Sequence, residues 1–199
     1  MTIKLALTGK ARSGKDAIAE YLVANYGFKR FAFGDGIREV CRQLYPEQFE
    51  GRAKPRALLQ GVGQSLRAFD EDVWVKRTLY EINSAENAVE EFKRCVTIHK
   101  PLKWRELSVV ISDLRQPNEY DALIRKGFII IRVTAPEDLR IQRMIAVGDA
   151  FNPDDLTHDT ESYVDSFEVD YEITNAGTLS ELHAQVDEFM AELLADRQR

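Results

Sequence analysis

A chain of 199 residues with 44% hydrophobic content fits one domain with a substantial core. A formal net charge of −6 argues against a general nucleic-acid binder, and no apolar run is long enough to span a bilayer. The two cysteines, Cys41 and Cys95, show neither metal spacing nor Cys-x-x-Cys, and fit inert thiols in a reducing compartment. With no signal-peptide pattern at the N-terminus, the expectation is a cytoplasmic protein.

The first apolar run, IKLALTG, reads as a buried strand entering a turn at Thr8-Gly9. KDAIAEYLVANYG follows as a helix, with Ile18, Leu22 and Val23 on one face and Gly27 as the stop. FKRFAFG (28–34) is a second strand, and DGIREVCRQLY a helix with Asp35 as the expected N-cap. PEQFEGRAKPR is turn-rich and basic. The stretch from Arg56 to Asn83 reads as two helices broken near Phe69-Asp70. Between Ser84 and Glu106 the pattern predicts a helix end, a short strand CVTIH (95–99) and a loop.

Alternation then resumes. LSVVISDLR is a strongly apolar strand ending in Asp113 and Arg115, and PNEYDALIRKG a helix with Pro117 in its first turn and Gly127 at its end. FIIIRVTA is another buried strand, PEDLRIQRMIAVG a helix opened by Pro136, and DAFNPDDLTHDTES a polar loop. YEITNAG is the last strand and residues 179–199 a terminal helix. No repeat or low-complexity tract is present. Near-continuous apolar strands alternating with helices predict an α/β fold, a parallel sheet of about five strands with helices on both faces. Ligands in such a sheet sit beyond the carboxyl ends of the strands. Gly9 to Asp16, Gly34 to Arg38 and Asp113 to Arg115 all fall there.

Gly9-Lys10-Ala11-Arg12-Ser13-Gly14-Lys15 has the spacing Gly-x-x-x-x-Gly-Lys between a buried strand and an amphipathic helix. Glycines let successive N–H groups point inward, the helix adds the positive end of its dipole, and Lys15 reaches the β- and γ-phosphates. Residues 9–17 (Gly9, Lys10, Ala11, Arg12, Ser13, Gly14, Lys15, Asp16 and Ala17) are therefore the expected ATP cradle. Asp16 stands where Ser or Thr is usual. A carboxylate beside triphosphate is repelled unless a divalent cation lies between them, so Asp16 is a candidate Mg²⁺ ligand, directly or through water. The alternative is that Asp16 pairs with an arginine or caps a backbone N–H.

GKARSGKD resembles the phosphate loop of the phage-type deoxynucleoside monophosphate kinases, and animal phosphomevalonate kinases carry a similar loop. RALLQGVGQSLRAFDEDVWVKRTL, VVISDLRQPNEYDALIRKGFIIIRV and the ending HDTES…VDYEITNAGTLSELHAQV resemble the phage-type family more closely, with a gap at Ser84–Glu106. The resemblance implies a P-loop fold of the nucleoside monophosphate kinase kind. It implies one domain over residues 1–199, an acceptor-binding helical region over about 35–106 and a short lid over about 144–160. The implied activity is transfer of the γ-phosphoryl of ATP to a phosphate acceptor.

Phosphoryl transfer needs cations on both phosphates and exclusion of water. Arg140 and Arg143 lie three apart on one helical face beside the lid, which itself has no Lys or Arg; Arg12 is the third candidate for a clamp. The alternative for Arg140 and Arg143 is surface ion pairing. Asp113 is placed for a carboxylate that orients Mg²⁺, or for a helix cap. Arg115 is placed for the acceptor phosphate, or for pairing with Asp113. Gly34-Asp35-Gly36 with Arg38, and Gln60, Gly61, Gly63, Gln64 and Arg67, form the expected acceptor site; two glycines inside a helix cost ~1 kcal/mol each, which a ligand packed there would explain. Trp74 is a candidate base-stacking residue or a core residue. Arg42, Lys54 and Arg56 are further candidates for phosphate contact. His158 and Glu161 suit a local pair better than a zinc site, and His99 and His183 carry no pattern.

The resulting reading is an ATP- and Mg²⁺-dependent kinase of a (deoxy)nucleoside monophosphate, with catalytic Lys15, Arg115, Arg140 and Arg143. A homodimer through residues 84–106 is left open. The rivals are dephospho-CoA kinase, phosphomevalonate kinase and a nucleotide-binding switch without transfer. The guanine-reading Asn-Lys-x-Asp of GTPases and the dinucleotide Gly-x-Gly-x-x-Gly are both absent.

Overall fold

A computed structural model describes residues 2–51, 55–97, 106–146 and 163–196. Strand β1 (Lys4–Thr8) leads through the glycine loop into α1 (Lys15–Tyr26). β2 (Lys29–Phe31), α2 (Phe33–Leu44) and a 3₁₀ turn (Pro46–Phe49) follow, then α3 (Arg56–Phe69) and α4 (Val73–Thr97). β3 (Val109–Leu114), α5 (Pro117–Arg125), β4 (Ile129–Thr134), α6 (Glu137–Ala146), β5 (Tyr171–Thr174) and α7 (Leu179–Asp196) complete the described chain.

The five strands form one sheet in the order β2-β3-β1-β4-β5, with each neighbouring pair parallel. Its strands alternate between two cores, because side chains along a strand point to opposite faces. Leu5, Leu7, Val110, Ile131 and Val133 pack with Ile18 and Leu22 of α1 and Leu182, Val186 and Phe189 of α7. Ala6, Val109, Ile111 and Ile130 face the other way, onto Trp74, Val75 and Ile82 of α4 and Leu123 of α5. Both faces are covered, as a parallel sheet requires.

Several expected boundaries move. Gly27 ends α1 in the left-handed region (φ 71), but Val23 is 41% exposed, because the buried stripe runs through Ile18, Ala19 and Leu22. The second strand is only Lys29–Phe31; Phe33 and Gly34 already belong to α2, whose N-cap is Ala32 and not Asp35. The break between α3 and α4 falls where expected, with Asp70 extended and its carboxylate accepting from the Asp72 N–H (3.1 Å) and Lys76 Nζ (2.8 Å). No strand forms at Cys95–Thr97. Those residues continue α4, a 25-residue helix in which pairs such as Glu90–Lys93 (2.7 Å) outweigh the local β-branched preference. The remainder of CVTIH lies outside the described residues. Among the described residues no helix is long and apolar enough to cross a membrane.

Candidate functional site

The loop after β1 closes on itself through Ser13 N–H to Lys10 C=O (3.2 Å). Gly9 (φ 139) and Gly14 (φ 110) take backbone conformations that side chains rarely adopt, and a Cβ on Gly9 would lie 2.2 Å from the Val133 carbonyl oxygen. Gly14 is also the N-cap of α1, so the first-turn N–H groups of a 12-residue helix have no side-chain cap. Lys15, only 6% exposed, turns its ammonium into the loop and donates to Gly9 O (2.6 Å) and Lys10 O (2.8 Å). Ser13 Oγ and Thr8 Oγ1 are buried beside it without a hydrogen-bond partner among the described residues. An uncapped helix start, a buried ammonium and two unsatisfied hydroxyls suit a polyphosphate, which supplies oxygen acceptors and negative charge together.

Behind the loop stands a brace that the sequence reading missed. Asn175, just beyond β5 and 5% exposed, donates its side-chain amide to Ser13 O (2.9 Å), and its own N–H bonds Thr134 O (2.8 Å). Arg143 donates to Asn175 Oδ1 (3.0 Å) and to Arg12 O (3.2 Å), while Arg140, 5% exposed, donates to Ala11 O (3.4 Å). The two α6 arginines therefore lie against the phosphate loop. Arg140 has a long ion pair to Glu137 (3.9 Å), and among the described residues none is seen for Arg143. Lys10 is paired with Asp165 (2.7 Å), which ties the loop to the segment before β5.

β3 lies beside β1, and Leu114 pairs with Thr8, so Asp113 emerges level with the start of the loop. Its carboxylate accepts two backbone donors across the fold, Phe33 N–H (2.8 Å) and Gly34 N–H (2.9 Å). Asp113 thus caps α2 and does not cap α5, whose N-cap is Gln116. Asp35 sits in the first turn of α2 and accepts from Arg38 (2.5 Å) and Arg30 (3.3 Å).

Glu119 completes this rim and was also missed. It is N3 of α5 in a capping box with Gln116, yet only 3% exposed. Oε2 accepts the backbone N–H groups of Arg115 (2.9 Å) and Gln116 (3.0 Å), and Oε1 lies 3.7 Å from Arg67 of α3. Burial and the nearby Asp113 carboxylate push the Glu119 carboxyl up from its ordinary 4.5 to about 7, against the pull of the two N–H groups and Arg67. Arg115, half-buried, has no side-chain hydrogen bond or ion pair among the described residues.

Other expected acceptor residues lie elsewhere. Gln60 and Gln64 stand on the exposed face of α3. Trp74 is 2% exposed in the core and donates Nε1–H to Gly63 O (3.2 Å), so no ring face is open for stacking. The glycines expected to admit a ligand admit protein atoms instead. A Cβ on Gly36 would meet Arg77 Cδ at 2.5 Å, one on Gly34 would meet Asp113 Oδ2 at 3.2 Å, and one on Gly63 would meet Ile37 at 3.1 Å; Gly61 faces open space. Arg42 stacks on the half-buried Phe49 ring (5.3 Å), Arg56 is exposed at the start of α3, and His183 stacks on Tyr21 (3.9 Å) away from the loop. Cys41 is buried and Cys95 exposed, both free thiols. Lys54, His99, His158, Glu161 and residues 147–160 of the expected lid lie outside the described residues.

Asp16 is exposed in the first turn of α1, directly after Lys15. Among the described residues no arginine pair or backbone cap is seen for Asp16. Among the described residues no cluster of three His, Cys, Asp or Glu side chains could hold a metal unaided. Asp16 with phosphate oxygens and waters is a donor set that magnesium accepts.

No family model matches the chain. A curated protein of Acanthamoeba polyphaga mimivirus, named "Putative deoxynucleotide monophosphate kinase", is 27% identical over 208 residues, covering 92% of this chain and 94% of its own. Two solved structures share the architecture over nearly the whole of both chains. TT1252 from Thermus thermophilus has a TM-score of 0.53 at 21% identity, covering 96% of this chain and 98% of its own. The shikimate kinase of Acinetobacter baumannii has a TM-score of 0.58 at 14% identity, covering 100% and 97%. The fold is that of the P-loop kinases.

Proposed function

We propose that the protein is a P-loop kinase that passes the γ-phosphoryl of ATP to a (deoxy)nucleoside monophosphate. The observation that carries this is the loop Gly9–Lys15, with its buried ammonium, its uncapped helix start and the two α6 arginines on its outer side. The name of the mimivirus relative supports the nucleotide acceptor.

In this reading the N–H groups at the start of α1 and the Lys15 ammonium hold the β- and γ-phosphates. Arg140 and Arg143 brace the loop from its carbonyl side and release one or both guanidiniums to the charge that spreads over the transferring group. Arg67 and Arg115 hold the acceptor phosphate, and Arg38 stands at the same rim. Asp16 would hold a magnesium ion, which would supply charge neutralisation to the phosphates, and Asp113 stands behind the rim. An acceptor oxygen forms the new P–O bond, the bond to the β–γ bridging oxygen breaks, and its electron pair leaves with ADP. The acceptor oxygen is already an anion, so no side chain has to remove a proton.

A coupled ADP-release assay across the nucleoside monophosphates, dephospho-CoA and phosphomevalonate tests the assignment. Acceptor-stimulated turnover confined to nucleoside monophosphates is the expected result. Stimulation by dephospho-CoA alone would point to attack by a sugar hydroxyl, and hydrolysis unaffected by every acceptor would point to a switch.

A further inference from the structure

Glu119 carries more than a helix cap requires. A capping box needs one side-chain oxygen at N3, and Gln serves there as well as Glu. Here both backbone N–H groups, of Arg115 and Gln116, go to Oε2, which leaves Oε1 outside the cap. That second oxygen is turned to α3, 52 positions away in sequence, and meets Arg67. The whole residue is 3% exposed, and sealing an ionised carboxyl from water is costly unless it is paired. Asp113, the other acid of this rim, has its oxygens on the α2 backbone. Arg67 itself is reached by no other acid in the described ion pairs, and a Cβ on Gly63, one turn earlier, would lie 3.5 Å from its Nη1, so the guanidinium lies back along the inner face of α3.

We propose that Glu119 is the positioning residue of the acceptor site. Through Oε2 it fixes the backbone of Arg115, and through Oε1 it holds the Arg67 guanidinium toward the same rim, so that both cations face one phosphate monoester. The ligand class follows from this geometry. One guanidinium held on α3 and a second carried by the backbone that Glu119 fixes after β3 together match the several oxygens of a terminal phosphate better than the two of a carboxylate. The inference rests on the acceptor reading given above.

The test is titration calorimetry on the full chain with ADP and Mg²⁺ saturating the phosphate loop. Inorganic phosphate and deoxynucleoside monophosphates are the probes, added to wild type, Glu119→Gln, Arg67→Ala and the double variant. Gln keeps an oxygen for the cap and turns an amide on Arg67. Glu119→Gln is expected to weaken monophosphate binding about tenfold, with ADP affinity nearly unchanged, and the double variant to bind no worse than Arg67→Ala. In turnover the acceptor KM rises with kcat nearly kept. Wild-type affinity in Glu119→Gln, an equal loss of ADP affinity, or additive losses in the double variant each overturn the proposal. If Glu119→Gln does not fold, Glu119→Asp, which withdraws the charge by one methylene, must show the same selective loss, and wild-type behaviour there overturns the proposal. Wild type that binds ADP but neither probe overturns the acceptor reading and this inference together. Wild type that fails to bind ADP overturns the nucleotide reading itself.

Discussion

The side-chain amide of Asn175 occupies the space that a Cβ on Gly14 would need. The ideal Cβ position lies 2.2 Å from Asn175 Nδ2, and the same amide bonds the carbonyl of Ser13, the residue before. One asparagine from the far edge of the sheet thus sets the curl of the phosphate loop, and Arg143 bonds both that asparagine and the loop carbonyl of Arg12. Gly14→Ala is expected to cost roughly 2 kcal/mol or more from φ strain and collision together. Gly14→Ala/Asn175→Ala should recover part of that loss, the collision but not the strain. Asn175→Ala alone should raise the KM for ATP about tenfold while the melting temperature falls by a few degrees. Equal losses in the single and double Gly14 variants, read by thermal melting, would show that the amide does not press on the loop.

Asp113 ties the carboxyl end of β3 to the first turn of α2. Its two charge-assisted bonds to Phe33 and Gly34 stabilise a helix start that has no cap of its own. Asp113→Ala should cost about 1–2 kcal/mol in urea unfolding, and Asp113→Asn, which keeps one acceptor, about half as much. An alanine variant of unchanged stability contradicts the capping role.

Glu119 reverses the usual acid behaviour of a carboxylate. Its folded value of about 7 lies above the ordinary 4.5. Between these values the folded protein binds a proton that the unfolded chain lacks, so its contribution to stability is fully present below about pH 4.5 and is lost as pH rises through about 7. The shift corresponds to roughly 3 kcal/mol at most, because one pKa unit is about 1.4 kcal/mol. Urea melts of wild type and Glu119→Gln from pH 5 to 8 read this directly. The wild type should lose stability relative to the variant as pH rises, and parallel profiles would refute it.

The magnesium assignment predicts a difference between two replacements at Asp16. Asp16→Ser, which restores a hydroxyl ligand, should keep a metal requirement near that of wild type. Asp16→Ala should need about tenfold more Mg²⁺ for half-maximal turnover, since one oxygen ligand is gone. A shared Mg²⁺ dependence among the three proteins removes the metal role from Asp16.

The sheet and the phosphate loop were legible because their signals are local. An apolar run, two glycines at fixed spacing and an amphipathic stretch occupy Leu5 to Leu22 without a break. Asn175 and Glu119 were not legible, because their partners lie 162 residues away at Ser13 and 52 residues away at Arg67. The Gln-x-x-Glu of a capping box was visible in QPNE, but its burial was not. Gly36 and Gly63 misled for a related reason. Glycine in a helix signals close approach without saying what approaches, and here Arg77 and Ile37 do. Trp74 and Cys95–Thr97 were decided by tertiary packing and helix continuity, which outweigh residue type.

The central claim is that the bowl around Lys15 grips nucleotide phosphates. Titration calorimetry of ATP with Mg²⁺ into the folded full chain, and into a Lys15→Met variant shown to fold, tests it most directly. The account predicts saturable heat with one site in the wild type and an affinity lower by about a hundredfold in the variant, the cost of losing a buried charge-assisted contact. No heat from folded wild type, or equal affinity in the two proteins, would contradict it.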